Sequence, residues 1–166
     1  MSKRIITLGT WDGKPIEWIV LKEESFGTLV LSKNILFTRR FDKYRNHNGN
    51  KWDKCELREF LNNDFFEIAF SNDDKQRIVY ALILGDECPN TKDNVFLLST
   101  SEALSLFDSD NERAANNYWS LRSPHQDGLE YTSHVRRDGV VKNKSSDCTY
   151  TDCSYGIRPA MYIREK

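Results

Sequence analysis

No stretch of this sequence is long and apolar enough to cross a membrane, no charge of one sign predominates, and no cysteine spacing outlines a zinc site. Each absence removes a class of function. Lysine and arginine number 24 against 25 aspartates and glutamates, so no basic surplus is available to hold a phosphate backbone. After Met1-Ser2-Lys3-Arg4 only Ile5-Ile6 precede the return of polar residues, too little for a secretory apolar segment. A cytoplasmic protein with no membrane partner is the expectation. Cys55, Cys88, Cys148 and Cys153 form no C-x-x-C pair, and His47, His125 and His134 complete no zinc pattern. In a reducing compartment free thiols are expected. No repeat, low-complexity tract or linker interrupts the chain, so a single domain over residues 1–166 is expected.

The residues that are present outline short elements. Residues 3–8 and 16–21 read as strands joined by Asp12-Gly13 turn chemistry, with residues 27–32 as the next antiparallel partner. Residues 34–50 set Arg39, Arg40, Lys43 and Arg45 among Phe41 and Tyr44. Basic residues among aromatics can hold nucleic acid, but the neutral balance favours a solvated loop with its aromatics on the core. Residues 51–62 carry Trp52, Cys55, Leu57, Phe60 and Leu61 near helical spacing. Asn62-Asn63-Asp64 is expected to end that helix, with Asp64 capping a short turn that holds Phe65, Phe66, Ile68 and Phe70. Ser71 opens a second capped turn, and Ser99 with Glu102 a third of the S/T-x-x-E kind.

Residues 80–84 are expected to be extended, 85–94 a loop, 95–99 a buried strand, 102–107 a short helix and 108–117 a polar loop carrying Arg113. Residues 129–135 and 140–143 read as strands joined through Asp138-Gly139, and 144–154 as a polar loop. Residues 155–163 read as one final strand with Pro159 at an edge or bulge. The fold class is α+β, with mixed or antiparallel sheets and two or three short helices.

Two phrases organise the last third: Tyr118-Trp119-Ser120-Leu121-Arg122-Ser123-Pro124 and Gly156-Ile157-Arg158-Pro159-Ala160. Each sets an arginine among apolar residues. A guanidinium there needs carboxylates or carbonyls to fill its donors. Arg122 and Arg158 can clamp an anionic ligand in a bidentate manner, or hold strands together. The apolar neighbours favour the second reading, so Trp119, Arg122, Arg158 and Pro159 are read as frame. Around them lies a polar set: Asn116, Asn117, Tyr118, Ser120, His125, Gln126, Tyr131, Ser133, His134, Arg136, Asn143, Tyr150 and Tyr155. Tyrosine supplies contact area at low entropic cost, and serine and asparagine supply adaptable hydrogen bonds, as in evolved binding loops. A plain polar β surface is the alternative. No nucleophile elbow supports a Ser-His-Asp reading at His125 or His134. Residues 108–112 lack the glycine and spacing of a calcium loop. No catalytic residue, cofactor or metal is assigned.

The W-x-L-R-S-P phrase, a D-G hairpin and the closing G-I-R-P-A together resemble a family of bacterial and phage domains of unknown function. Glu17-Trp18-Ile19-Val20-Leu21, Leu29-Val30-Leu31-Ser32, the segment from Trp52 to Phe66 and Val95-Phe96-Leu97-Leu98-Ser99 extend the resemblance upstream. Tyr118, Ile157 and Met161 stand where that family often has Trp, Val and Leu. The resemblance implies a C-type lectin-like fold, in the branch shared with formylglycine-generating enzymes and with the variable proteins of diversity-generating retroelements. It implies a bacterial or phage origin, a core role for the closing strand, and a protein or other macromolecular partner on the polar stretch. Asn, Ser and Tyr are also residues that adenine-directed mutagenesis readily yields. Two other readings stand beside it. One is a copper-dependent oxidase using Cys148 and Cys153, since thiolates suit Cu(I); the enzyme's flanking residues are missing here. The other is a structural or oligomerising module.

Overall fold

In the eleven-residue strand Lys14–Glu24, Ile16 and Trp18 are buried while Pro15 and Glu17 face out, the alternation of a strand with one covered face. A computed structural model describes residues 3–45, 49–144 and 149–165. Its first sheet begins with β1 (Ile5–Trp11), β2 (Lys14–Glu24) and β3 (Gly27–Ser32), joined as consecutive antiparallel hairpins. Between β1 and β2, Asp12 and Gly13 both take positive φ, 50° and 72°, the tight turn that matches strand twist. Trp18 carries its indole N–H inward and donates it to the Leu8 carbonyl at 2.8 Å.

β4 (Phe37–Arg40) is a strand inside the segment expected to be a loop. Its partner arrives more than a hundred residues later, which local composition cannot reveal. A short 3-10 turn at Trp52–Lys54 leads into α1 (Glu56–Phe60), whose start is capped by the Cys55 sulfur accepting from the Arg58 N–H. Helix does not stop at Asn62-Asn63-Asp64. It widens into a π turn at Leu61–Phe65 and continues as α2 (Phe66–Ala69). The reason is the core stripe: Leu57, Leu61, Phe65 and Ala69 are all buried. A spacing of four drifts around a helix of about 3.6 residues per turn, and one wider turn keeps the stripe aimed inward. Asn62 works elsewhere, donating to the Arg58 and Val95 carbonyls and accepting from the Asn94 and Val95 N–H groups.

α3 (Asn72–Arg77) opens with a reciprocal cap between Ser71 and Asp74, as its sequence predicts. Then come β5 (Ile78–Val79), β6 (Ala81–Ile83) and β7 (Thr91–Asp93), the last inside another expected loop. Residues 95–99 are buried but form no strand; only Phe96 makes a bridge, to Ala160. Single backbone contacts and side chains replace a partner strand there: Phe96 exchanges both bonds with Ala160, and Arg122 N donates to the Leu98 carbonyl at 2.9 Å. Asn62 serves Val95, and Arg122 donates to the Leu97 carbonyl at 2.9 Å. α4 (Thr100–Ser105) carries the Ser99–Glu102 capping box, and α5 (Asp110–Arg113) occupies what reads as a polar loop.

β8 (Trp119–Pro124), β9 (Thr132–Val135), β10 (Val141–Lys142), β11 (Ser154–Ile157) and β12 (Ala160–Ile163) complete the chain. The expected final strand is thus two strands in different sheets. The first sheet runs β1-β2-β3-β12-β5 and the second β10-β9-β8-β11-β4, with β6 and β7 as a separate hairpin. Pro159 sits at the corner between them, where a missing N–H breaks no ladder. Its carbonyl accepts from Ser32 N at 2.8 Å. β11 runs parallel to β8, Gly156 opposite Trp119. A Cβ on Gly156 would lie 2.6 Å from both the Tyr118 carbonyl and the Ile35 side chain, so the first glycine of the closing phrase is a packing requirement. Mixed sheets with short helices make the domain α+β.

Candidate functional site

Three buried arginines hold the second sheet. Arg158, 2% exposed, donates from Nε to the Ser32 carbonyl at 3.0 Å and from Nη2 to the Lys33 carbonyl at 3.0 Å. A longer bond of 3.5 Å reaches the Arg113 carbonyl, and the guanidinium lies over the Trp119 ring at 4.8 Å. Burial without a nearby carboxylate pulls its pKa down to about 10. Arg122 forks onto Glu102 at 2.5 and 3.0 Å and also bonds the Leu97 and Leu84 carbonyls. Glu102 therefore caps α4 with the same carboxylate that pairs Arg122.

Arg113 was not singled out by composition. It is buried, bonds the Gly139 and Ala103 carbonyls at 2.9 and 3.2 Å, and pairs with Asp110. Its own carbonyl accepts the Trp119 indole N–H at 3.1 Å. The available signal is Ser109-x-x-Glu112, a capping pattern that turns residues 110–113 into a helix with Arg113 in its last turn. Gly139, at φ 85°, lets the D-G hairpin press against that helix; a Cβ there would collide with the Asp110 carbonyl at 1.6 Å.

The polar set divides by depth. Ser120, His125, Ser133 and His134, expected among the ligand-binding residues, are buried. His134 pairs in register with Ser120, and its Nδ1 lies 2.9 Å from the Thr149 hydroxyl and 3.3 Å from the Thr132 carbonyl. The Tyr118 ring stacks on it, centroids 5.3 Å apart. Ser133 donates to the Pro124 carbonyl at 3.1 Å. His125 accepts the Asp127 N–H at Nδ1, and its ring meets the Tyr131 ring edge-on at 5.6 Å. Burial lowers the His125 pKa against the opposing pull of Asp127 and Glu130. Residues 149–151 pair alongside the start of β9: the Thr149 carbonyl accepts Thr132 N at 2.8 Å, Thr151 N reaches the Glu130 carbonyl at 2.8 Å, and Tyr150 bridges Tyr131.

Above this polar layer stands a partly exposed aromatic row. The Tyr131 and Tyr150 rings meet at a tilt of 37° with centroids 5.1 Å apart, and the Arg45 guanidinium covers Tyr150 at 3.8 Å while bonding Asp152 at 2.9 and 3.1 Å. Tyr155 adjoins Cys153, and burial followed by that neighbour raises its pKa. The remaining members scatter. Asn116, Asn117, Tyr118 and Arg136 gather at the end of the sheet marked by the Trp119–Val135 pair. Gln126 and Asn143 meet at the other end, the Gln126 N–H on the Asn143 carbonyl at 2.7 Å.

The basic segment is engaged within the chain. Arg39 lies over Phe60 at 3.9 Å, Arg40 pairs with Glu56 at 2.7 Å, and both belong to β4 or its contacts. The arginine holds the Glu56 carboxyl below its ordinary value. Sequence reasoning also missed Asp93, fully buried in β7, which accepts from Trp52 Nε1 at 3.0 Å, Arg58 Nε at 2.7 Å and Thr91 Oγ1 at 2.6 Å. Of the proposed copper pair, Cys148 lies outside the described residues, and Cys153 is a partly exposed free thiol. Cys55 is buried, and desolvation drives its pKa upward, away from reactivity. Among the described residues no group of three or more His, Cys, Asp or Glu side chains is placed to hold a metal, and no helix is long and apolar enough to cross a membrane.

No curated protein and no solved structure matches this chain. A family model does match, over residues 27–165, which takes in both sheets from β3 onward and every residue of the polar set. The chain belongs to the family described as Domain of unknown function (DUF6273).

Proposed function

We propose that this chain is a non-catalytic binding domain of C-type lectin-like fold that takes a protein partner on the polar aromatic face of its last third. The observation that carries the reading is the contiguous row Tyr131–Tyr150–Arg45, partly exposed and adjoining the buried Thr149–His134 hydrogen bond. Rigid tyrosines on a fixed base offer contact area with little entropy left to lose. The contact residues are Tyr118, Tyr131, Tyr150 and Tyr155, with Asn116, Asn117, Gln126, Arg136 and Asn143 at the rims. Support for the lectin-like fold comes from the closing strand, which enters the first sheet between β3 and β5, while residues 119–157 together with β4 build the second. The diversified form of the reading predicts a reverse transcriptase in the encoding locus and a near-copy of the last third differing at adenines.

The binding reading is tested with a photo-crosslinking phenylalanine at position 150 and, as control, at exposed position 17. A partner adduct from 150 alone, lost when Tyr131 becomes Ser, supports it. Equal labelling from both positions, or none from 150 in the native cytoplasm, contradicts it.

A further inference from the structure

Along β6 and its flanks, Tyr80, Leu82 and Leu84 alternate with Ala81 and Ile83, and both sets are apolar. Ala81 and Ile83 are buried, whereas Tyr80, Leu82 and Leu84 are 63%, 57% and 63% exposed. A strand apolar on both faces is the pattern of one covered on both faces. Here the chain covers one. Across from the stripe, Phe26 is 52% exposed and rests on Tyr162 with ring centroids 4.8 Å apart. Between them runs a groove of about 590 Å³. The charges lining it are already matched, Arg122 by Glu102 and Glu24 by Lys22, so the groove calls for an apolar occupant.

We propose that this stripe and groove form the two-fold interface of a homodimer, with a second copy of this chain as the occupant. A two-fold rotation can set each copy's apolar stripe against the other's groove, the same patch on both sides, as an isologous contact requires. Four side chains exposed by 52–63% present about 100 Å² each, so the pair of copies covers about 800 Å² of apolar surface. That suits the centre of an interface of standard size, about 1,600 Å² with its polar rim. A net charge of -1 leaves little repulsion between copies. The aromatic row at Tyr131 and Tyr150 does not line the groove, so the dimer stands or falls apart from the binding face.

Sedimentation equilibrium of the whole chain, alone and as Leu82→Glu and Leu84→Lys, tests the proposal. Both positions are exposed, so far-UV dichroism and urea midpoints are expected to stay close to the parent. The parent is expected at twice the chain mass with a dissociation constant of about 10 µM or tighter, and each variant is expected at the single-chain mass, weakened at least about 30-fold. If either variant fails to fold, Phe26→Ser on the opposite wall gives the same reading. A parent that stays single at about 100 µM would overturn the proposal and leave the stripe to a different protein. So would an assembly that survives all the substitutions.

Discussion

The two sheets are held together by different physics. The first is built from consecutive hairpins whose buried residues are mostly apolar, Ile16, Trp18, Leu29, Val30 and Leu31 among them, with Thr28 and Ser32 the polar exceptions in β3. The second encloses Ser120, Arg122, Ser123, Thr132, Ser133 and His134, so its interior is ordered by hydrogen bonds as much as by packing. An apolar core tolerates loss roughly in proportion to volume removed. A polar core fails when one partner is deleted, because the remaining groups stay buried and unsatisfied. The difference assigns Arg122 and Arg158 to the frame, and the proposed binding role falls to the partly exposed rings.

The sharpest way to break this comparison is Arg158→Met. It leaves the Ser32 and Lys33 carbonyls without their donor at the junction of the sheets, and the expected loss is about 3–5 kcal/mol in urea unfolding. Next is Glu102→Gln, which removes the carboxylate shared by Arg122 and the α4 cap. About 2–4 kcal/mol is expected, with Ser99→Ala costing only about 1. If the two variants cost the same, the arginine adds nothing beyond the cap.

In the first sheet the corresponding change is Gly13→Ala, which forces a side chain into positive φ and is expected to cost about 1 kcal/mol. The smallest effect is a pH slope. Burial holds His125 below its ordinary value, so the fold favours the neutral ring. Its contribution is complete above the unfolded pKa of about 6.5 and is lost as pH falls through the lower folded value. His125→Gln is expected to flatten that part of the stability profile. The Glu56 contribution, also from a lowered pKa, remains until pH falls below about 4.3, the unfolded value, and then fades.

Local chemistry made the first three strands, the Asp12-Gly13 turn and the caps at Ser71 and Ser99 legible, because each depends on neighbours in sequence. β4 and β7 were not legible: Phe37–Arg40 and Thr91–Asp93 are charged, and only pairing with β11 and β6 makes them strands. Residues 95–99 looked like a strand because their burial is real; what the run could not show is that Asn62, Arg122 and Ala160 each supply one piece of the missing ladder. The polar set was legible as a composition but not as a surface. His134 is engaged by the Thr149 hydroxyl and by the Tyr118 ring, and both contacts are long-range facts.

The central claim is a division of labour between buried guanidinium groups and exposed rings. One urea unfolding comparison tests it, setting Arg158→Met beside the triple variant Tyr118→Ser, Tyr131→Ser and Tyr150→Ser. The account predicts that the triple variant keeps a cooperative transition within about 2 kcal/mol of the parent while Arg158→Met loses more than about 3. A near-neutral Arg158→Met beside an unfolded triple variant would contradict it, making the rings the frame and freeing the arginine for a ligand.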